Sequence, residues 1–357
     1  LLNKEHNNNK VLGNYLKMYE KKDLFFTSND FSSFADVVYS DRVSHNLPVE
    51  INTQIIEKSH NPNFLCYTYK KLAFEIKSGS TIFCNTDLLD NLFYHLKKNK
   101  TLKNINLITH QTDQIISKAL FKKKPNCVNK WFSVNVGFNH KDLIPIPIGI
   151  ASDFSLKNLI YKDFTNFNNK NFLKKDINLY INFNKNTNFR ERKDLINLFK
   201  DKSWVTIDNP DLNKQEYLKN LQHYTFVLCP WGNGVDTHRL WETIYSGSIP
   251  VTKYHETYKA AKNLPILFVE NYEEINKELL SNYIKNFESL SLDLEKLTKN
   301  YWKQFVKGHP DGENIAFNEN LFVTRYFDLK RYIKKLIKKP IKRFSTLFYK
   351  IINRLRF

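Results

Sequence analysis

Glycine and methionine are scarce in this chain: nine glycines and one methionine in 357 residues. With so few flexible positions, any close pair of glycines carries weight as a built loop. Four cysteines, Cys66, Cys84, Cys127 and Cys229, lie far apart. No pair has the spacing of a zinc knuckle or a redox CxxC motif, and three sit in or beside apolar stretches, as buried thiols do in a reducing compartment. No DxD triplet and no His/Cys cluster at ligand spacing occurs, so no metal site is expected. No apolar run reaches the ~18 residues of a membrane-spanning helix. The segment Leu1–Lys10 is polar and Asn-rich, without the apolar core of a secretory signal. These features point to the cytoplasm. Acidic side chains are in deficit, 36 against 55 Lys and Arg, for a net charge of +19. That balance favours anionic partners such as nucleotides, phosphates, nucleic acid or anionic lipid.

Apolar material is ample, at 41% hydrophobic and 15% aromatic, and the 25% of charged residues is ordinary for a folded domain. Short apolar runs at Leu24–Thr27, Thr81–Cys84, Ile105–Thr109, Leu179–Phe183, Trp204–Ile207, Phe226–Cys229, Ile249–Thr252 and Ile266–Val269 read as strands. Helical patterns lie between them, for example Asp87–Lys98, Arg190–Lys200, Thr237–Ser246 and Tyr272–Tyr283. Such alternation predicts an α/β protein with parallel sheets covered by helices. A Pro-punctuated run, Ile144–Ile150, followed by a polar stretch from Lys157 to Lys175, marks a division. The expected units are an α/β domain over 1–155, a second over 175–310, and a basic helical tail over 311–357. From Arg325 to Phe357 there are twelve Lys and Arg against the single acid Asp328. Apolar residues there recur in steps of three and four from Leu329 to Leu355, with Pro340 as a break. This pattern suits a helix lying on an anionic membrane after Pro340, and a helix packed on the body over 325–339.

The most informative segment runs from Phe226 to Val251: a buried strand, Pro230, the Gly232-Asn233-Gly234 loop, a helix capped by Asp236 or Thr237, Gly247, and a new strand. A helix N-terminus behind a glycine loop offers free N–H groups and a positive dipole end to an anion. Arg239 in the first turn can reach a phosphate, and His238 could donate to a phosphate or a sugar oxygen. Glu242, three residues on, suits ribose or sugar hydroxyls. Taken singly, the same residues could be a cap and a surface ion pair.

This segment resembles the nucleotide-sugar-binding motif of exostosin-like glycosyltransferases. Pro230, Gly232, Gly234, Asp236, Arg239, Glu242, Gly247, Ile249, Pro250 and Val251 match it, while Thr237-His238 replaces the family's Ser and Ser248 its Cys. The resemblance implies a GT-B architecture, two Rossmann-like domains facing across a cleft, with donor in the C-terminal domain and acceptor in the N-terminal one. It implies an inverting, metal-independent transfer, a UDP-sugar as favoured donor, a saccharide or lipid-linked acceptor, and no cofactor beyond that substrate. Lys185, Arg190 and Arg192, after the Leu179–Phe183 strand, are candidates for the donor diphosphate. The base would come from the first domain, where Asp87, His110 and Asp113 follow strands. An anionic membrane surface would be met through 329–357 on the inner face of the membrane. A non-catalytic sugar-nucleotide binder and a basic nucleic-acid-binding protein stay open as alternatives. Against the latter stand the concentration of charge in the tail and the lack of a nucleic-acid motif, so no nucleic-acid partner is expected.

Overall fold

The computed structural model describes residues 24–40, 42–44, 55–61, 64–69, 73–152, 155, 158–164, 177–318, 322–333 and 336. The fold is mixed α/β and carries two parallel sheets of five strands each. The first comprises β1 (Val37–Tyr39), β6 (Thr81–Asn85), β7 (Ile105–His110), β8 (Val128–Ser133) and β9 (Leu143–Pro145), side by side in that order. Between β1 and β6 the chain forms β2 (Arg42–Ser44), β3 (Ile55–Asn61) and β4 (Phe64–Tyr69), an antiparallel sheet, and then β5 (Ala73–Ser78). The second parallel sheet comprises β10 (Leu179–Ile181), β11 (Val205–Ile207), β12 (Phe226–Leu228), β13 (Ile249–Lys253) and β14 (Leu267–Val269), in the order β11-β10-β12-β13-β14. Both sheets are compatible with Rossmann-like units.

The central strands are buried on both faces, which is why they read as continuous apolar runs. Along β6, Phe83 joins one core cluster while Ile82 and Cys84 join another; Ile108 and Leu107 divide the same way in β7, as do Phe132 and Trp131 in β8. The helix Leu89–Lys98 buries Leu89, Leu92, Phe93 and Leu96 on the second of these faces. The cluster on the other face continues without a break into the second sheet.

Several elements depart from expectation. Leu24–Thr27 makes only isolated bridges, to Thr298 and Ile150, because Phe25 stands at φ +74° and breaks the extended run. The strands β8 and β9 carry no clear apolar signal. Asn129 and Lys130 expose two positions in β8, and β9 lies within the Pro-rich run, at the sheet edge where Pro145 is tolerated. After the second sheet the chain returns to the first. In the helix Lys299–Val306, Trp302 packs on Phe26 and Phe31 at ring distances of 6.0 and 6.3 Å. Residues 311–318, expected to belong to a helical tail, instead form the strand β15 (Asp311–Asn318), antiparallel to β5. Ile315 and Phe317 alternate with Asn314 and Ala316, a period of two rather than 3.6.

Residues 322–333 are helical. This helix touches the first unit through Phe327 on Tyr94 (6.2 Å) and Lys330 on Asp90 (3.3 Å). Packing over 325–339 is thus partial, for the helix leaves Phe322, Tyr326, Leu329 and Ile333 exposed, Phe322 by 82%. Residues 337–357, which include the stretch after Pro340, lie outside the described residues. Among the described residues no helix is long and apolar enough to cross a membrane.

Candidate functional site

Strand β12 is followed by the buried Cys229, and Pro230 turns the chain into the glycine loop. Three side chains hold that loop. Asn135, just past β8 in the first unit, accepts the Val235 amide (3.0 Å) and the Asp236 amide (3.2 Å) on Oδ1, while its Nδ2 donates to the Thr112 carbonyl (3.1 Å). The approach is so close that a Cβ on Gly234 would lie 2.9 Å from Asn135 Nδ2, so a side chain there would push Asn135 from its place against the loop. From the other side Arg192 donates to the carbonyls of Trp231 (2.8 Å), Pro230 (2.9 Å) and Asn184 (3.0 Å). Asn188 adds a bond from Nδ2 to the Gly232 carbonyl (2.8 Å).

Asp236 is buried and accepts from the Ile148 amide (2.7 Å), the Thr237 amide (2.9 Å) and Trp241 Nε1 (3.0 Å). Burial raises its proton affinity, to a pKa of about 7, against those donors. The helix His238–Tyr245 starts at Thr237 as N-cap, but with no side-chain capping bond. Asp236 thus ties the two units together rather than capping the helix.

A cavity of about 550 Å³ opens at this helix start. Gly232, Asn233, Gly234, Asp236, Thr237, His238, Arg239 and Glu242 all line it, as do Asn182, Lys214 and Tyr217 from the second unit. Asp113 and Ile148 line it from the first unit, so the cavity lies between the two. It sits past the carboxyl ends of β10 and β12, where α/β sheets bind ligands. Two buried polar atoms of its lining have no hydrogen-bond partner among the described residues, Arg239 Nε and Thr237 Oγ1. The Arg239 guanidinium stands 5.9 Å from the Tyr217 ring centre. Glu242 is buried, accepts from the Leu159 amide (3.2 Å) and Tyr217 Oη (3.2 Å), and is raised by burial to a pKa of about 7.

His238 is tethered at Nδ1 to the Gly149 carbonyl, 2.8 Å away. Gly149 stands at φ +70°, and a Cβ there would lie 2.4 Å from the Phe26 carbonyl oxygen, so a side chain would displace this turn. A carbonyl only accepts, so Nδ1 carries the proton and the neutral ring keeps a lone pair on Nε2. Burial lowers the proton affinity of His238, which favours that neutral form; Asp113 across the cavity opposes it. The donating role expected of His238 toward a phosphate therefore gives way to an accepting one.

The other expected residues divide. Arg192 lines the cavity, but its guanidinium is engaged by three carbonyls, and burial lowers its pKa to about 10; it builds the loop. Arg190 and Lys185 are exposed and outside the cavity lining. Of the three residues proposed as base, only Asp113 reaches this cavity. His110 is fully buried, with Nε2 bonded to the Pro147 carbonyl (2.8 Å), Nδ1 accepting the Gln111 amide (2.9 Å) and its ring stacked on Phe31 (4.7 Å). Burial brings its pKa down to about 4, so it is a core residue. Asp87 is exposed in a separate cavity beside the 322–333 helix. Sequence reasoning missed Tyr217 and Lys214, on the helix Lys214–His223, whose Asn213/Glu216 capping box was the available signal for where that helix begins. Among the described residues no group of three or more His, Cys, Asp or Glu side chains could hold a metal ion.

No protein-family model matches the chain, and no curated protein matches it in sequence. The resemblance to exostosin-like glycosyltransferases therefore stands on the Pro230–Val251 residues themselves.

Proposed function

We propose that the protein is a glycosyltransferase of GT-B architecture, moving a sugar from a nucleotide-sugar donor, a UDP-sugar by preference, to a saccharide or glycolipid acceptor. The observation that carries this reading is the pairing of an unpartnered Arg239 Nε with an open helix start on one cavity between the two units. A diphosphate supplies what those groups lack: oxygens that accept from the guanidinium and from the first-turn amides. The volume is in the range of small-molecule sites, roughly 300–1,000 Å³. Glu242 and Asn182 offer acceptors and donors to ribose or sugar hydroxyls.

In the transfer, the acceptor oxygen attacks the anomeric carbon as the bond from that carbon to the diphosphate oxygen breaks, and the diphosphate leaves with the electron pair. Arg239 and the helix dipole stabilise the charge that develops on it. The acceptor proton passes to a cavity group with a free lone pair, His238 Nε2 or the Asp113 carboxylate. Inversion and independence of metal follow from the family resemblance. A thermal-shift screen of nucleotides and sugar nucleotides tests the reading. A specific nucleoside diphosphate should raise the melting temperature by mass action, and no response to any of them would sink it.

The exposed apolar side of the 322–333 helix supports attachment to a membrane. Phe322, Tyr326, Leu329 and Ile333 follow at steps of four, three and four. The positive charge of the 325–357 segment complements anionic lipid.

A further inference from the structure

A second cavity, of about 210 Å³, lies between the start of the helix Leu89–Lys98 and the 322–333 helix. The donor cavity does not account for it. Its lining holds the hydroxyl and amide groups that sugars use: Thr86, Asp87, Asn91 and Gln114, with Phe327 as an aromatic wall. Thr86 and Asn91 are only 5% and 4% exposed, yet Thr86 Oγ1 and Asn91 Oδ1 have no hydrogen-bond partner among the described residues. Unmet polar atoms in buried side chains carry a desolvation cost, which a bound hydroxyl group would offset.

The charges around this cavity are mostly matched. Asp90 is bracketed by Lys123 (3.6 Å) and Lys330 (3.3 Å), and Arg331 pairs with Asp328. Asp87 makes no hydrogen bond or ion pair among the described residues. A spare carboxylate next to unmet hydroxyl and amide oxygens accepts hydrogen bonds from a ligand's hydroxyls, and its charge disfavours a carboxylate set against it. One stretch of chain after β7 serves both cavities. Gln114 lines this cavity and Asp113, the preceding residue, lines the other.

We infer that this cavity is the acceptor subsite and takes a neutral sugar ring, with Asp87, Asn91 and Gln114 binding its hydroxyls and the 322–333 helix closing one wall. The inference rests on the glycosyltransferase reading for its role, but its ligand chemistry is independent of nucleotide binding. The basic helix is then part of the substrate site, so a lipid-linked saccharide would meet its binding groups beside the surface that faces the membrane.

Saturation-transfer NMR with the full chain tests this, using methyl glucoside, methyl galactoside and their N-acetylamino counterparts as probes, and glucuronate as the anionic control. At least one neutral glycoside should show transfer, glucuronate should show less, and excess UDP should leave the signal in place. Asp87→Ala, at an exposed position that folding tolerates, should weaken that binding at least tenfold while UDP binding stays within twofold of wild type. Asn91→Leu should act in the same direction. Absence of transfer to every neutral glycoside, displacement of the sugar by UDP, or full binding by Asp87→Ala would overturn the inference. Any of these with UDP binding intact leaves the donor reading standing; loss of UDP binding by the wild type with sugar binding intact removes that reading and the acceptor role alone.

Discussion

The Ile148 amide donates to Asp236 Oδ2 at 2.7 Å, fastening the backbone of one unit to the glycine loop of the other. The same carboxylate holds Trp241 Nε1 and the Thr237 amide, so one buried acid fixes the start of the helix that carries Arg239.

That acid makes stability depend on pH. Burial raises the Asp236 pKa to about 7, far above an unfolded aspartate at about 3.9. Between these values the folded state binds the proton more tightly than the unfolded state does, so this contribution falls as pH rises from about 4 to about 7, then levels off. Glu242 acts in the same sense. Asp236→Asn should flatten the difference in urea-unfolding free energy between pH 5 and pH 8. An unchanged pH slope would show that the buried carboxyl is ionised throughout.

Two arginines beside the glycine loop serve opposite ends, and substitution separates them. Arg192→Met leaves the carbonyls of Pro230, Trp231 and Asn184 without their donor. Its cost should be about 3 kcal/mol or more by urea denaturation, with UDP binding lost alongside. Arg239→Met removes a group whose Nε has no partner to lose. Stability should change less, while UDP affinity by calorimetry should fall about 10–100-fold, the worth of a charged hydrogen bond.

The proton acceptor shows itself in the pH profile of UDP release from a UDP-sugar. His238 must be neutral at Nε2, and burial lowers its proton affinity. The acid limb of the profile should therefore lie below the ordinary imidazole value of about 6.5. Asp113 raises that affinity, so Asp113→Asn should move the limb to still lower pH. His238→Asn, which can keep the bond to Gly149, should lose the limb and most of the rate.

Membrane attachment is checked by vesicle sedimentation. The protein should bind vesicles containing phosphatidylserine, and binding should weaken with salt. Leu329→Glu together with Ile333→Glu should cut binding at least tenfold, since each buried aliphatic side chain is worth about 1.5–3 kcal/mol. Equal binding by the double variant would assign attachment elsewhere.

The parallel sheets were legible because their strands are buried on both faces, so the apolar runs Phe226–Cys229 and Ile105–Thr109 match β12 and β7 to within a residue. Strand β8 was hidden by its exposed Asn129 and Lys130, and β15 by the charge around it. A helix start at Asp236 or Thr237 was legible from two glycines in a glycine-poor chain, and the structure sets the cap at Thr237. Its supports were not: Asn135 lies a hundred residues before Val235, and only folding brings them together. Arg192 shows the limit of residue type as a guide. A guanidinium after a strand suggests phosphate, yet three carbonyls at bonding distance claim it first. His238 was readable as a polar group, but its accepting character depends on the Gly149 carbonyl, which no local pattern reveals.

The most direct test is a crystal structure of the protein with UDP. The diphosphate should lie at the start of the His238–Tyr245 helix, within hydrogen-bond distance of Arg239 and the first-turn amides. UDP bound elsewhere, or Arg239 turned to another partner with the helix start left to solvent, would contradict the account.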